Sequence, residues 1–167
     1  KVKIPQATIN QCLGFLKSKD LIKKLNELIG KCGITGEQTN RIFLFGIALS
    51  YKMPDTLHAL IQGSSGSGKS RLLKIICLLM PPEDVICFTR VTESSFYNYP
   101  ENFLVHKLIG LEDMDGLKEE AQLAIRELIS NEKLVSSTSS KTESGEIVAM
   151  AKVVRGPIAS IACTTKG

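Results

Sequence analysis

The chain lacks the patterns that define several common classes of protein. None of its five cysteines forms a C-x-x-C pair, so the sequence predicts no zinc site or disulfide framework but reduced, buried thiols in a cytoplasmic protein. No apolar run reaches the roughly 18 to 20 residues that cross a bilayer, and no signal peptide is recognisable. We therefore expect no membrane partner. The two histidines, His58 and His106, show no metal-ligand spacing.

A strong charge of one sign is also absent. The formal net charge of +4 permits contact with nucleic acid without indicating it, because nucleic-acid-binding proteins usually concentrate their basic residues on one face. With 43% hydrophobic and 23% charged residues, the composition is that of a globular domain. A length of 167 residues suits one α/β domain. The chain begins at Lys1 without a methionine, so we expect it to be part of a longer protein.

One segment carries a pattern with a physical mechanism. Residues 63–70 read Gly-Ser-Ser-Gly-Ser-Gly-Lys-Ser, which satisfies G-x-x-x-x-G-K-[ST]. An apolar, strand-like run precedes it at residues 57–61, and apolar residues at helical spacing follow it over residues 72–79. Strand, glycine-rich turn and helix together form the context of a phosphate-binding loop (P-loop). The alternative, a flexible Ser/Gly linker, would leave the flanking patterns unexplained.

The chemistry of such a loop assigns roles to its residues. Glycines let backbone N–H groups close around phosphates, and the start of the following helix adds partial positive charge. Lys69 would reach the β and γ phosphates of ATP, and Ser70 would place its hydroxyl on Mg²⁺. The predicted nucleotide-binding residues are Gly63, Ser64, Ser65, Gly66, Ser67, Gly68, Lys69, Ser70 and Arg71.

The rest of the chain reads as an α/β fold. Helical patterns dominate up to residue 51, and we predict an N-terminal helical segment, residues 1–54, packed on a core of residues 55–167. A core helix is predicted at residues 117–130, and a β-hairpin at residues 134–154 with its tip near Ser144. The predicted core strands are residues 57–61, 85–88, 104–111 and 158–163. The predicted fold class is a P-loop NTPase, with a parallel sheet flanked by helices and the hairpin before the last strand.

Two adjacent carboxylates follow the third predicted strand of the core. Glu112 and Asp113 come directly after the apolar run that ends at Leu111. Ligands of open α/β sheets bind at the carboxyl ends of strands. There one acid would complete the Mg²⁺ shell, and the other would orient or deprotonate the attacking water. A merely solvated pair of surface acids is the alternative.

The acid-bearing segment resembles a known family. Residues 111–117, Leu-Glu-Asp-Met-Asp-Gly-Leu, and the helix that follows resemble the second acidic motif of AAA+ ATPases, nearest to the minichromosome maintenance type of replicative helicase. The P-loop with residues 70–74 is similar to the same group, and the predicted hairpin falls where these helicases insert one before their first sensor strand. The assembly also resembles the ATPase modules that bacterial mobile elements carry beside primase-like domains. Covering roughly residues 57–165, the resemblance implies the ATP-hydrolysing core of a DNA replication motor.

The resemblance implies particular roles at the site. By position Glu112 would be the metal-side acid and Asp113 the water-activating acid. The family's usual order is Asp then Glu, so the shorter arm of Asp113 would weaken hydrolysis. Thr165 best matches the sensor of the γ-phosphate, with Thr164 close behind, although turn hydrogen bonds at a strand end would also account for two threonines. The catalytic residues implied are Lys69, Glu112, Asp113 and Thr165.

Partners are implied as well. Hairpins of these helicases line a central pore and grip DNA, which makes Lys141 and Lys152 candidate DNA-binding residues; ordinary solvated charges are the alternative. Such motors work as homo-oligomeric rings in which a neighbouring subunit supplies an arginine. The chain stops just after the sensor strand, and no arginine matches that position. We therefore expect the chain as written to bind ATP and Mg²⁺ but to hydrolyse ATP poorly.

The sequence is also compatible with two other functions. The first is an ATP-dependent switch or loader that holds a partner without motor activity. The second is a small P-loop kinase, which would need several arginines in a lid over its acceptor, whereas the arginines here do not cluster.

Overall fold

The computed structural model describes residues 3–92, 94–141 and 147–166, without the side chains of Thr138, Ser140, Lys141, Ile147 and Val148. The chain divides into two compact units, Lys1–Phe43 and Leu44–Gly167. This division lies earlier in the chain than the boundary predicted after residue 54. The packing of the N-terminal helical segment on the core stays a prediction.

The first unit is helical, as the sequence predicts. It contains α1 (Gln6–Leu16) and α2 (Leu21–Lys31), and α3 (Gln38–Leu49) begins in it. Arg41 of α3 is buried and donates from Nη1 to the carbonyl oxygen of Ile34 at 3.0 Å. Its guanidinium occupies the space that a Cβ at Gly30 would need. A glycine on α2 therefore makes room for the buried cation.

The second unit contains the sheet. In chain order its further elements are β1 (His58–Gln62), α4 (Lys69–Leu78), β2 (Val85–Phe88), β3 (Lys107–Leu111), α5 (Glu119–Asn131), β4 (Lys133–Lys141), β5 (Ile147–Arg155) and β6 (Ile158–Thr164). The strand, loop and helix predicted around residues 63–70 are thus present as β1, the loop and α4. The predicted strand at residues 85–88 coincides with β2.

Four parallel strands form the sheet in the order β1-β6-β3-β2. The register pairs Gln62 with Thr164, and Leu111 pairs with both Ala162 and Phe88. All four strands therefore end at the same edge of the sheet. Because ligands of open α/β sheets bind beyond the carboxyl ends of the strands, this edge is where a site is expected.

Helices cover both faces of this sheet. On one face the fully buried Leu73 and Ile76 of α4 pack towards β2, β3 and β6. On the other face Ile109 and Leu111 of β3 join α5 residues in one core cluster. Because side chains alternate along a strand, Gly110 lies on the α4 face. A Cβ there would lie 2.9 Å from Cys87 Sγ and 3.0 Å from Cys77 Sγ, so the two thiols require a glycine at this position.

The predicted hairpin is present immediately before β6. β4 and β5 pair antiparallel from Lys133 and Arg155 at the base to Lys141 and Ile147. Leu134 and Val154 at the base are buried in the same core cluster as α5. The predicted tip at Ser144 and Gly145 lies outside the described residues.

Two expectations need correction. β3 begins at Lys107 and not at Leu104, because His106 has φ 55° and its N–H bonds to the carbonyl of Pro157, which is incompatible with an extended strand. The cysteine pattern predicts buried thiols throughout, but Cys12, Cys32 and Cys87 are exposed. Only Cys77 and Cys163 are buried, and burial raises the pKa of Cys163 to about 11. Among the described residues, none of the helices has the length and apolar character to span a bilayer.

Candidate nucleotide-binding site

The P-loop connects β1 to α4 at the carboxyl edge of the sheet. Gly66 and Gly68 have φ of 78° and 88°, in the left-handed region that favours glycine. A Cβ on Gly63 would lie 3.0 Å from Ser67 Oγ, so the start of the loop is also tightly packed. Gly68 directly precedes α4, whose first amides have no partner within the helix. These glycines therefore permit a compact turn that delivers helix amides to a bound anion.

Lys69, at the first position of α4, is folded over the P-loop. Its Nζ donates to the carbonyl oxygens of Gly63 and Ser64, each at 2.7 Å. The ammonium group thus lies at the mouth of the loop, where it can exchange neutral carbonyls for charged phosphate oxygens. Ser70 follows in the first turn of α4 and is partly buried. Arg71 is exposed on the same turn.

The two predicted acids point in different directions. Glu112 is largely buried, with 17% of its side chain exposed, and forms an ion pair with Lys74 of α4 at 2.8 Å. Asp113 is exposed, and its Oδ1 accepts hydrogen bonds from the N–H groups of Asp115 and Gly116, each at 3.1 Å. Glu112 therefore lies on the α4 face of the sheet, the same face as the helix that carries Lys69 and Ser70. Asp113 instead shapes the turn after β3.

Asp115 joins this turn to the end of β6. Its Oδ1 accepts from the hydroxyl of Thr164 at 2.7 Å. Its Oδ2 accepts from both the N–H and the hydroxyl of Thr165, at 2.6 and 2.7 Å. The hydrogen bonds from Thr165 and Thr164 hold the pKa of the Asp115 carboxyl far below its usual range. Both candidate sensor threonines are thus held by one carboxylate.

β6 also connects this turn to the P-loop. The N–H of Met114 bonds to the carbonyl of Cys163 at 2.8 Å, and the N–H of Gly63 bonds to the carbonyl of Thr164 at 3.3 Å. The polar end of β6 therefore lies between the P-loop and the acid-bearing turn. The structure thus places the loop, Glu112, Asp113 and Thr165 at one edge of the sheet, and their catalytic roles stay predictions.

A cleft of about 500 Å³ opens beside Asp113. Its lining combines a carboxylate, two cations and several hydroxyls: Asp113, Arg90, Lys118, Thr89, Thr92 and Ser94. The cleft lies where β2 and β3 end, so a molecule in it would be next to the acid predicted to activate water.

The candidate DNA-binding lysines lie on different strands of the hairpin. Lys152 of β5 pairs with Ser136 in the register, and its Nζ lies 3.5 Å from Asn98 Oδ1. Lys141 is the last residue of β4, and its side chain lies outside the described residues. The structure therefore does not bring these two lysines together, and their contact with DNA stays a prediction.

Asp115 and Lys74 are the residues that motif reasoning missed. The available signal for Asp115 was a third acid two residues after Asp113, with two threonines at the end of another strand. Lys74 could be connected with Glu112 only once the packing of α4 on the sheet was known, because 38 positions of chain separate them.

The site fits a nucleotide with magnesium. The left-handed glycines leave room for phosphate oxygens at the loop, and Lys69 supplies a matching cation. Ser70 and Glu112 supply a hydroxyl and a carboxylate, which are oxygen donors of the kind that Mg²⁺ prefers. Across the described part of the chain, no group of three or more His, Cys, Asp or Glu side chains could hold a metal ion. Mg²⁺ usually takes one or two protein oxygens and completes its shell with phosphate and water, so Ser70 and Glu112 would be enough protein ligands for it.

The parallel sheet, the loop between β1 and α4, and the acids at the end of β3 define a P-loop domain, the class of fold typical of nucleotide binding and frequent among NTPases. The chain belongs to the family described as the MTBMA_p00010 P-loop domain, which matches residues 6–151. The match spans the helices of the first unit, the P-loop and the acid-bearing turn. A search of curated proteins finds no match to this chain.

Proposed function

We propose that this chain is the ATP-hydrolysing AAA+ core of a DNA motor of the replicative helicase type. The observation that carries the proposal is the convergence of the P-loop, the acids and the polar end of β6 at one edge of the sheet. A P-loop alone supports nucleotide binding, whereas acids at the same edge support hydrolysis. The hairpin directly before β6 supports the AAA+ type, because the resemblance places an insertion there.

Each residue has a separate task in this proposal. Lys69 neutralises charge on the β and γ phosphates, and Ser70 and Glu112 hold the magnesium that bound ATP brings. Asp113 keeps one carboxylate oxygen on the backbone of the turn and uses the other to orient water. Thr165 responds to the γ-phosphate. Catalysis is then chiefly positioning and charge neutralisation, as is general for phosphoryl transfer.

DNA and neighbouring subunits are the proposed partners. The hairpin would contact the DNA backbone through Lys152 and Lys141, and a homo-oligomeric ring would supply the arginine that completes the site. A place among mobile-element replication modules and a cytoplasmic location stay predictions from the sequence.

A switch or loader is the second candidate function, and specific contacts favour it. Glu112 is paired with Lys74, and Asp113 is engaged by two backbone amides. If neither acid leaves its partner when ATP binds, the domain holds nucleotide without turnover.

Lys69→Ala tests the site assignment. Removing the ammonium deletes charge-assisted hydrogen bonds worth about 1.5–3 kcal/mol each, so ATP affinity should fall at least about 100-fold if two phosphate contacts are lost. Lys23→Ala removes an exposed lysine of α2 and serves as the matched control. Fluorescent ATP-analogue titration measures both variants, and wild-type affinity in Lys69→Ala would refute the assignment.

DNA-stimulated turnover separates the candidate functions. Phosphate release that rises when single- or double-stranded DNA is added supports the motor. Nucleotide binding without turnover under either condition supports the switch. Turnover that requires a small phosphate acceptor, such as a nucleoside monophosphate, supports a kinase instead.

A further inference from the structure

Asp115 forms a dense cluster of polar contacts at the carboxyl edge of the sheet. One carboxylate receives three hydrogen bonds of 2.6–2.7 Å from two consecutive residues that are about fifty positions further along the chain. Hydrogen bonds to a charged acceptor are roughly twice as strong as those between neutral groups. This cluster therefore determines where Thr164 and Thr165 lie.

The direction of these hydrogen bonds limits what the threonines can do. A hydroxyl has one proton to donate and two lone pairs to accept with. Because Thr165 donates its hydroxyl proton to Asp115, its oxygen can act towards any other group only as an acceptor. An acceptor cannot bond a phosphate oxygen directly, but it can orient a water molecule that donates one proton to the threonine oxygen and the other to the γ-phosphate. Asp115 thus determines where Thr165 lies and makes its hydroxyl oxygen an acceptor towards other groups.

The backbone places this cluster between the nucleotide loop and the acid. Asp115 follows Asp113 in the same turn, and Asp113 Oδ1 holds the N–H of Asp115. On the other side, Thr164 lies next to the P-loop because its carbonyl oxygen accepts a hydrogen bond from the N–H of Gly63. A shift of Asp115 would consequently move the sensor residue relative to both the P-loop and the predicted water-activating acid.

We propose that Asp115 is a positioning residue that orients Thr165 towards the γ-phosphate region and the attacking water. The inference rests on the proposed function, because it assigns Thr165 a response to the third phosphate. Asp115 itself acts only through the threonines, so its loss should weaken discrimination of ATP from ADP while leaving the contacts to the first two phosphates intact.

Asp115→Asn is the informative substitution. Asparagine keeps the size of the side chain but replaces one acceptor oxygen by a donor, which would face either the Thr164 hydroxyl or the N–H and hydroxyl of Thr165. Asp55→Asn is the matched control, because Asp55 is exposed and lies in the segment before β1. Thr165→Val removes the hydroxyl, and Thr165→Ser retains it.

The dissociation constants of ADP and of β,γ-imido-ATP are measured for each variant of the chain, together with ATP turnover and thermal unfolding. We expect ADP affinity within about twofold of wild type and a preference for the ATP analogue that falls about tenfold, equivalent to one charge-assisted hydrogen bond. Thr165→Val should lose the preference for the ATP analogue to the same extent. Thr165→Ser, which retains the hydroxyl, should keep this preference. The double variant Asp115→Asn, Thr165→Val should be no worse than either single one, since both act through one contact.

The outcomes separate this inference from the proposed function. Wild-type protein that binds neither nucleotide refutes the proposed function itself. Wild-type protein that binds both equally, or an Asp115→Asn variant that keeps the full preference, refutes the positioning role. Additive losses in the double variant also refute it, because Asp115 would then act independently of Thr165. If Asp115→Asn does not fold, the comparison of Thr165→Val with Thr165→Ser decides: equal preferences in the two variants refute the role.

Discussion

Gly68→Ala tests how much the P-loop backbone contributes to nucleotide binding, separately from its effect on the stability of the fold. Gly68 has φ 88°, and a Cβ added there would have no atom within 4 Å, so the substitution strains the backbone without a clash. An L-residue in the left-handed region costs about 1–2 kcal/mol. Reduced freedom of the unfolded chain returns about 0.4–1 kcal/mol of this. The expected net loss of stability is therefore about 1 kcal/mol, roughly a fivefold change in the unfolding equilibrium.

Gly36→Ala provides a control with the same backbone cost. Gly36 has φ 72° and equally open surroundings, but it lies between α2 and α3, in the first unit. The two substitutions should lower the free energy of unfolding by similar amounts. Only Gly68→Ala should lower nucleotide affinity, because only Gly68 sets the path of the amides that enter α4.

The affinity change follows from the same geometry. Loss of one charge-assisted bond between a backbone N–H and a phosphate is worth about 1.5–3 kcal/mol, so affinity should fall at least about tenfold. Urea unfolding measures stability, and titration with a fluorescent ATP analogue measures affinity. If Gly68→Ala loses the same stability as Gly36→Ala yet binds the analogue as tightly as wild type, the loop backbone does not hold the phosphates and the reasoning fails.

Two further predictions concern the sheet that carries the site. Gly110→Ala should destabilise the protein by about 1–3 kcal/mol in urea unfolding, because its Cβ would press on the thiols of Cys87 and Cys77. Adding Cys87→Ala to the same chain should recover part of this loss. A Gly110→Ala variant as stable as wild type would contradict the packing. Burial lowers the pKa of His58 below its usual 6.5, so the unfolded state binds more protons below that pH and stability should fall between pH 7 and pH 5. His58→Gln should flatten the decline of the urea midpoint over that range, and an unchanged decline in the variant would assign it to other groups.

Much of the fold could be predicted from local patterns. The P-loop, β2 and the hairpin were recognised because glycine spacing, short apolar runs and turn residues are signals within a few residues of each other. The start of β3 was missed because Leu104 is fully buried without being in a strand. An apolar run indicates burial but does not show where a strand begins. The left-handed conformation of His106 separates the buried, non-strand Leu104 from the strand that starts at Lys107.

The contacts within the site could not be predicted in the same way. Asp115 and Thr165 are brought together by the order of strands in the sheet, in which β6 lies next to β3. A motif records the spacing of residues along one segment, whereas this contact depends on a parallel pairing between distant segments. The same holds for Glu112 and Lys74, which meet because α4 packs on the sheet.

The strengths of these contacts indicate which groups move when nucleotide binds. The ion pair of Lys74 with Glu112 is exposed on the lysine side, at 56%, and such a pair is worth only about 0–1 kcal/mol. Lys69 is bonded to neutral carbonyls, which are weaker acceptors than phosphate oxygens. Asp115 instead receives three hydrogen bonds, so three contacts must break together before it can change partners. Lys69 and Glu112 should therefore change partners on binding, while Asp115 and the end of β6 should keep the contacts that they have now.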